Sequence, residues 1–134
     1  MKIDGGCHCG AVAFEAEADP EKVAVCHCSD CQTMSGSAFR TVAMIPADDF
    51  TLLKGELKTY VKTAESGNKR AQVFCPECGT HIYATSVGEG AKVLGVRVGT
   101  IHQRDQLPPK RQVWTRSAQH WLDDLASVPA AERQ

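Results

Sequence analysis

Aromatic residues are scarce in this chain of 134 residues, at 6% of the total, and it holds no long apolar run. Nothing approaches the ~18 consecutive apolar residues that a bilayer-crossing helix needs. The opening stretch MKIDGGCHCG also has no apolar core of the kind that marks a secretory leader. Net charge is nearly absent, with 15 Lys and Arg against 16 Asp and Glu giving -1. So weak a field offers no draw to nucleic acid or to an anionic membrane surface, and neither is an expected partner. The two compact basic pairs, Lys69-Arg70 and Lys110-Arg111, read as solvated turns. No repeat and no low-complexity tract is present. These absences leave an ordinary globular protein, expected in the cytoplasm, for which a homodimer is compatible with everything in the sequence.

Hydrophobic content of 43% and a length of 134 residues suffice for one core without staples. The expected organisation is a single domain over 1–127 and a short tail over 128–134. Short segments with the period of a strand recur along it. In AVAFEAEA (11–18), Val12, Phe14 and Ala16 alternate with Glu15 and Glu17, the pattern of a half-buried strand. KVAV (22–25), FRTVAMI (39–45), LKTYVK (57–62), RAQVF (70–74), HIYATS (81–86) and KVLGVRVGT (92–100) read likewise. PADDFTLLKGE (46–56) reads as a single helical turn capped by Asp48 or Asp49 and stopped by Gly55. Only SAQHWLDDLAS (117–127) has helical spacing, with Ser117 as its cap and Trp121, Leu122 and Leu125 on one side. Trp114 and Trp121 are expected to pack this end onto a sheet. The fold class is all-β with short helical turns and a short C-terminal helix.

Cysteine is what the chain has in an uncommon arrangement. Its seven residues form three groups: Cys7 and Cys9; Cys26, Cys28 and Cys31; Cys75 and Cys78. An odd count in a reducing compartment argues for metal ligation rather than disulfides. In extended chain, Cys7 and Cys9 point to one side, as do Cys26 and Cys28. Cys-x-x-Cys instead needs a tight turn, and CPECGT (75–80) supplies Pro76 and Gly79 for one. Two partitions close a four-thiolate site. Joining Cys7 and Cys9 to Cys75 and Cys78 leaves Cys26, Cys28 and Cys31 as a second, three-ligand site with one coordination position open. Joining Cys7 and Cys9 to Cys28 and Cys31 leaves Cys26 idle. The first partition employs every cysteine and is the one favoured here.

GGCHCGAVAFE (5–15), CHCSDCQTMSGSAF (26–39), FCPECGTHIY (74–83), VGT (98–100) and VWTRSAQHWL (113–122) together resemble the glutathione-dependent formaldehyde-activating enzyme family, shared with the centromere protein V group. The resemblance implies an Mss4-like fold, an all-β zinc-binding tent. It implies two zinc ions per chain: a structural one on Cys7, Cys9, Cys75 and Cys78, and a catalytic one on Cys26, Cys28 and Cys31. It also implies a carbon–sulfur lyase of the S-(hydroxymethyl)glutathione synthase type, with glutathione as co-substrate and formaldehyde or a related aldehyde as its partner. The chain departs from the family pattern where Ile101-His102 follow the late Gly-Thr and where Arg40-Thr41 follow the central Phe39. Both departures bear on the substrate side.

The donor set narrows the chemistry further. Three thiolates around zinc carry a formal -1, which acidifies bound water less than three neutral histidines would and disfavours a zinc-hydroxide hydrolase. A soft site accepts a soft fourth ligand, such as a substrate thiolate, which then adds to an aldehyde carbon. The alternative is a non-catalytic zinc module that carries a small thiol or binds a protein partner. Ser35 and Gly36, just past the triple-cysteine loop, are candidates for contact with the thiol ligand. Arg40 and Arg97 lie on expected strands and are candidate partners for glutathione's carboxylates. His8 and His27 alternate with the cysteines and should face away from metal. Asp30 reads as a loop residue bonded to nearby backbone and His81 as an ordinary strand position.

Overall fold

The structure is a computed structural model that describes residues 1–134. Ten strands form two sheets. The smaller is antiparallel, in the order β1 (Lys2–Gly6), β2 (Ala13–Glu17) and β5 (Phe50–Lys54). The larger has seven strands: β10 (Arg111–Val113), β3 (Val23–Cys26), β4 (Arg40–Pro46), β9 (Val93–Arg97), β8 (His81–Ser86), β7 (Lys69–Phe74) and β6 (Lys58–Thr63). One α-helix, α1 (Ser29–Ser35), and several 3-10 turns complete it. This is the all-β Mss4-like architecture.

The core lies where the small sheet packs against one face of the large one. Phe14 is fully buried and stacks on Phe50 at 5.1 Å between ring centroids, and Phe50 meets the edge of Tyr83 at 5.4 Å. Ile3, Ala43, Ile45, Val96 and Ile101 fill the space around them. With only 6% aromatics, the interior is closed chiefly by β-branched side chains, which pack well on pleated surfaces.

Alternation sends every second residue of the large sheet to its other face. Ala43 and Ile45 enter the core, so Arg40, Val42 and Met44 face away from it. The register carries this face across the sheet: Cys26 stands opposite Arg40, Val42 opposite Arg97, Gly95 opposite Ala84, Ala84 opposite Gln72, and Arg70 opposite Lys62. All nine line one cleft of about 610 Å³.

Several local expectations change. Residues 46–56 do turn once at Ala47–Asp49, but Phe50–Lys54 is then a strand, because β2 offers it an open edge. β1 is formed by a Gly-containing segment with little intrinsic strand preference. Gly5 sits where a Cβ would collide with the Thr100 carbonyl oxygen, so pairing with β2 and close approach of the 98–101 turn decide the matter. The C-terminal segment winds as a 3-10 helix over His120–Ser127 with Gln119 before it and no side-chain cap, so Ser117 does not cap it. Trp114 and Trp121 are not buried anchors of the core: they are 44% and 43% exposed.

Candidate metal centre

The thiols assemble into two separate clusters. Cys7, Cys9, Cys75 and Cys78 lie together, as do Cys26, Cys28 and Cys31, with all sulfurs of each cluster within 4.8 Å of one another. Cys7 and Cys9 sulfurs are 3.6 Å apart and those of Cys9 and Cys75 are 3.8 Å apart. A tetrahedron built on Zn–S bonds of about 2.3 Å has an edge of about 3.8 Å, so the spacing fits a zinc ion and is far too long for a disulfide.

Each pair reaches its cluster by a different backbone device. Cys7 and Cys9 are in a turn rather than on an extended strand, with the Gly10 N–H donating to the Cys7 carbonyl at 3.3 Å and Gly10 at φ 83°. The Val12 N–H donates to the Cys7 sulfur at 3.2 Å. Cys75 and Cys78 occupy the expected tight turn, closed by Gly79 N–H to Cys75 carbonyl at 2.9 Å, with Gly79 at φ 76°. Thr80, through its hydroxyl 3.2 Å from the sulfur and then its backbone, holds the Cys78 thiol down to about 5.

The three-cysteine cluster is built at a strand-to-helix junction. Cys26 ends β3; Cys28 caps α1, its sulfur accepting the Cys31 N–H at 3.3 Å; Cys31 lies in the first turn. The Cys28 position is therefore a helix cap, not the second site of a flat strand. Hydrogen bonding to Cys26 holds the Cys31 thiol down to about 5 against the effect of burial, and the Arg40 guanidinium adds to it. Cys26 is pushed up by the same contact and then by burial.

These three cysteines open on the large cleft, whereas the four-cysteine cluster does not line it. Lys62 donates to Asp30 at 2.8 Å, tying β6 to α1 across the cleft; Asp30 thus bonds to a lysine and not to nearby backbone. Arg116 grips Glu65 through two contacts of 3.1 Å and lies 4.8 Å over the Trp114 ring, closing the side where the β6–β7 turn meets the C-terminal segment. Trp114 borders the cleft with its backbone in the left-handed region at φ 57°. Arg40 and Arg97 stand in the cleft floor and both donate to the Gln72 side-chain oxygen, at 3.1 and 3.0 Å. Burial, and then repulsion from Arg40, pull Arg97 down to about 9.

Other expected residues fall elsewhere. Ser35 and Gly36 lie at the C-terminal end of α1, where Gly36 is a left-handed cap at φ 65°, and neither lines the large cleft. Ser35 instead borders a smaller cavity of about 330 Å³ with His81, Arg40 and Arg97. His27 is buried, turned away from the cleft and bonded to Gln112 at 2.7 Å, and His81 stacks on Phe74 at 5.6 Å. Sequence reasoning missed Gln32, which donates to the carbonyls of His27 at 2.8 Å and Ser117 at 2.9 Å and thereby seats the C-terminal segment on α1. It also missed Gln72 and Arg70. The signal for both lay in RAQVF, where period 2 puts Arg70 and Gln72 on one face.

A protein of Rhodobacter sphaeroides solved in a structural-genomics programme shares the fold at a TM-score of 0.61, with 23% identity over 84% of this chain and 100% of that one. No helix here is long and apolar enough to cross a membrane. The family described as glutathione-dependent formaldehyde-activating enzyme matches residues 2–117, which take in both cysteine clusters and every residue lining the cleft, and the chain belongs to that family.

Proposed function

We propose that the protein makes and breaks the carbon–sulfur bond between a glutathione-type thiol and an aldehyde, as in the formation of S-(hydroxymethyl)glutathione from formaldehyde. The observation that carries this is the asymmetry of the two clusters, one with four thiols standing apart from the large cleft and one with three thiols opening into it. Four ligands suit a structural zinc, and three leave a position for a visitor. Zinc bound at the second cluster supplies a soft site for a thiolate and lowers that thiol's pKa.

The chain's own groups do the remainder. Arg40 and Arg97 bring two positive charges to a place where three thiolates, and then a fourth, gather negative charge. Val42, Met44 and Trp114 give the cleft apolar surface that displaces water around the reacting carbon. Holding thiol and aldehyde in one cleft replaces a bimolecular encounter with a local one. Ser35 and Gly36 stand off this cleft, so the thiol's contacts fall to its floor and to the 113–117 wall.

Two measurements test the proposal on zinc-loaded protein. X-ray absorption during a glutathione titration should show sulfur ligation rising at one of the two zinc ions. NMR exchange between free formaldehyde and its glutathione adduct should run faster than in buffer. Zinc untouched by glutathione, with exchange at the buffer rate, would sink the proposal; altered ligation without acceleration would leave a thiol carrier.

A further inference from the structure

The floor of the cleft holds two positive charges without a carboxylate. Arg40 is 6% exposed, and a guanidinium so deeply buried is ordinarily paired with an acid. The ion pairs of the protein all join other residues. The acids that line the cleft are engaged elsewhere, Asp30 with Lys62 and Glu65 with Arg116. Arg40 and Arg97 lean instead on one neutral oxygen, that of Gln72, an arrangement that brings like charges together.

Their hydrogen-bonding capacity is also largely unspent. Two guanidiniums carry ten N–H donors in all, five each. The partners in place are Gln72, the Met34 sulfur and the Cys31 sulfur for Arg40, and Gln72 and the Gly95 carbonyl for Arg97. The Nε of each is buried with no partner. Arg70 lines the same cleft and joins no ion pair, which makes three positive charges, while zinc on three thiolates carries a formal -1, and -2 once a thiol ligand is added. What remains is one unit of positive charge in a forked donor array, and a carboxylate matches both.

We infer that Arg40 and Arg97 form a carboxylate-binding site beside the three-cysteine cluster, and that the aldehyde handled here carries a carboxylate next to its reacting carbon, as glyoxylate does. This rests on the thiol–aldehyde reading above and names its substrate class. Position selects the aldehyde rather than the thiol as the owner of the carboxylate. Cys26 and Arg40 are directly opposed across β3 and β4, where Cβ atoms stand about 5 Å apart. Glutathione's own carboxylates sit at the far ends of its peptide arms, whereas a carboxylate on the aldehyde carbon is one carbon from the sulfur. In the reaction the thiolate sulfur adds to the aldehyde carbon, the carbon–oxygen π pair moves to oxygen, and a proton from water neutralises it. The product is a hemithioacetal that keeps its carboxylate, and no oxidant enters.

Calorimetric titration of the zinc-loaded protein with two thiols of similar size tests the site. Mercaptoacetate, which carries the carboxylate, should bind about ten- to a hundredfold more tightly than neutral 2-mercaptoethanol. Arg97→Met, which keeps the packing of the stem, should lower affinity for mercaptoacetate far more than for 2-mercaptoethanol, and Arg97→Lys should restore part of the difference. Equal affinities in the native protein overturn the carboxylate site and leave the thiol reading standing; binding of neither thiol overturns the thiol reading itself. NMR exchange supplies a second arm that does not depend on the variants folding. The native protein should accelerate exchange of the glyoxylate adduct of glutathione more than that of the formaldehyde adduct, and equal or reversed acceleration overturns the inference.

Discussion

Replacing Cys78 by serine should unfold the zinc-loaded protein at a much lower temperature than replacing Cys28. The reason is the length of chain that each cluster closes. Cys9 and Cys75 are 66 residues apart, so a metal holding both removes a long loop's worth of freedom from the unfolded chain. The chain-entropy treatment of a cross-link gives about 4 kcal/mol for a loop of that length. The three cysteines of the other cluster fall within Cys26–Cys31, and the same treatment gives about half as much. Set against a total stability of about 5–15 kcal/mol, the first loss is a large share. At roughly 3–5 °C per kcal/mol for a chain of this size, Cys78→Ser should lower Tm by about 10–20 °C. Cys28→Ser should lower it by less than half of that, because serine is itself a good helix cap and can take over the Cys31 N–H from the sulfur. Scanning calorimetry with metal counted per chain gives the comparison. A chelator provides the control: Cys78 is exposed and makes no core contact, so wild type and Cys78→Ser should converge once zinc is removed. Equal losses in the two variants, or a gap that survives chelation, would refute the division into a closed cluster and an open one.

Two further predictions concern the cleft and its surroundings. Burial lowers the pKa of His81 below its ordinary 6.5, with Arg97 and Arg40 adding to the effect, so the unfolded chain takes up a proton where the folded one does not. Stability from this residue is intact above about pH 6.5 and is lost as pH falls below it; in urea melts, His81→Phe, which keeps the stack on Phe74, should fall less steeply than wild type between about pH 7 and 5. Trp114→Gly should relieve about 1 kcal/mol of left-handed backbone strain, offsetting part of the packing lost under Arg116, and weaken glutathione binding about tenfold by calorimetry, since the side chain borders the cleft; undiminished binding would remove Trp114 from the site.

Much of the fold was legible in the sequence because strand alternation and burial agree. Val12, Phe14 and Ala16 are buried and Glu15 and Glu17 exposed, as their spacing demands. The cysteine grouping was legible for a different reason: thiol valence is countable, and only one partition uses all seven. What stayed hidden depends on tertiary contact. β1 and β5 have weak local signals, one rich in glycine and one beginning at a turn, and each becomes a strand because β2 has an edge to fill. Arg40 and Arg97 were each readable as candidates from their strands, but their adjacency was not, since it needs the β4–β9 register, which brings Val42 opposite Arg97 across more than fifty residues of chain. The tryptophans misled because size argues for burial, while the apolar core is already closed by smaller residues from both sheets.

β10, three residues long, runs parallel to β3 with Val113 opposite Cys26, and so delivers the last wall of the cleft from a segment that supplies no cysteine. One wall of the cleft is thereby separable in sequence from the thiols at its floor. Substitutions in 111–119 can reshape that wall without touching a thiol that would hold the metal. Exchanging that stretch between two members should move preference for a ligand and leave zinc content per chain as it was.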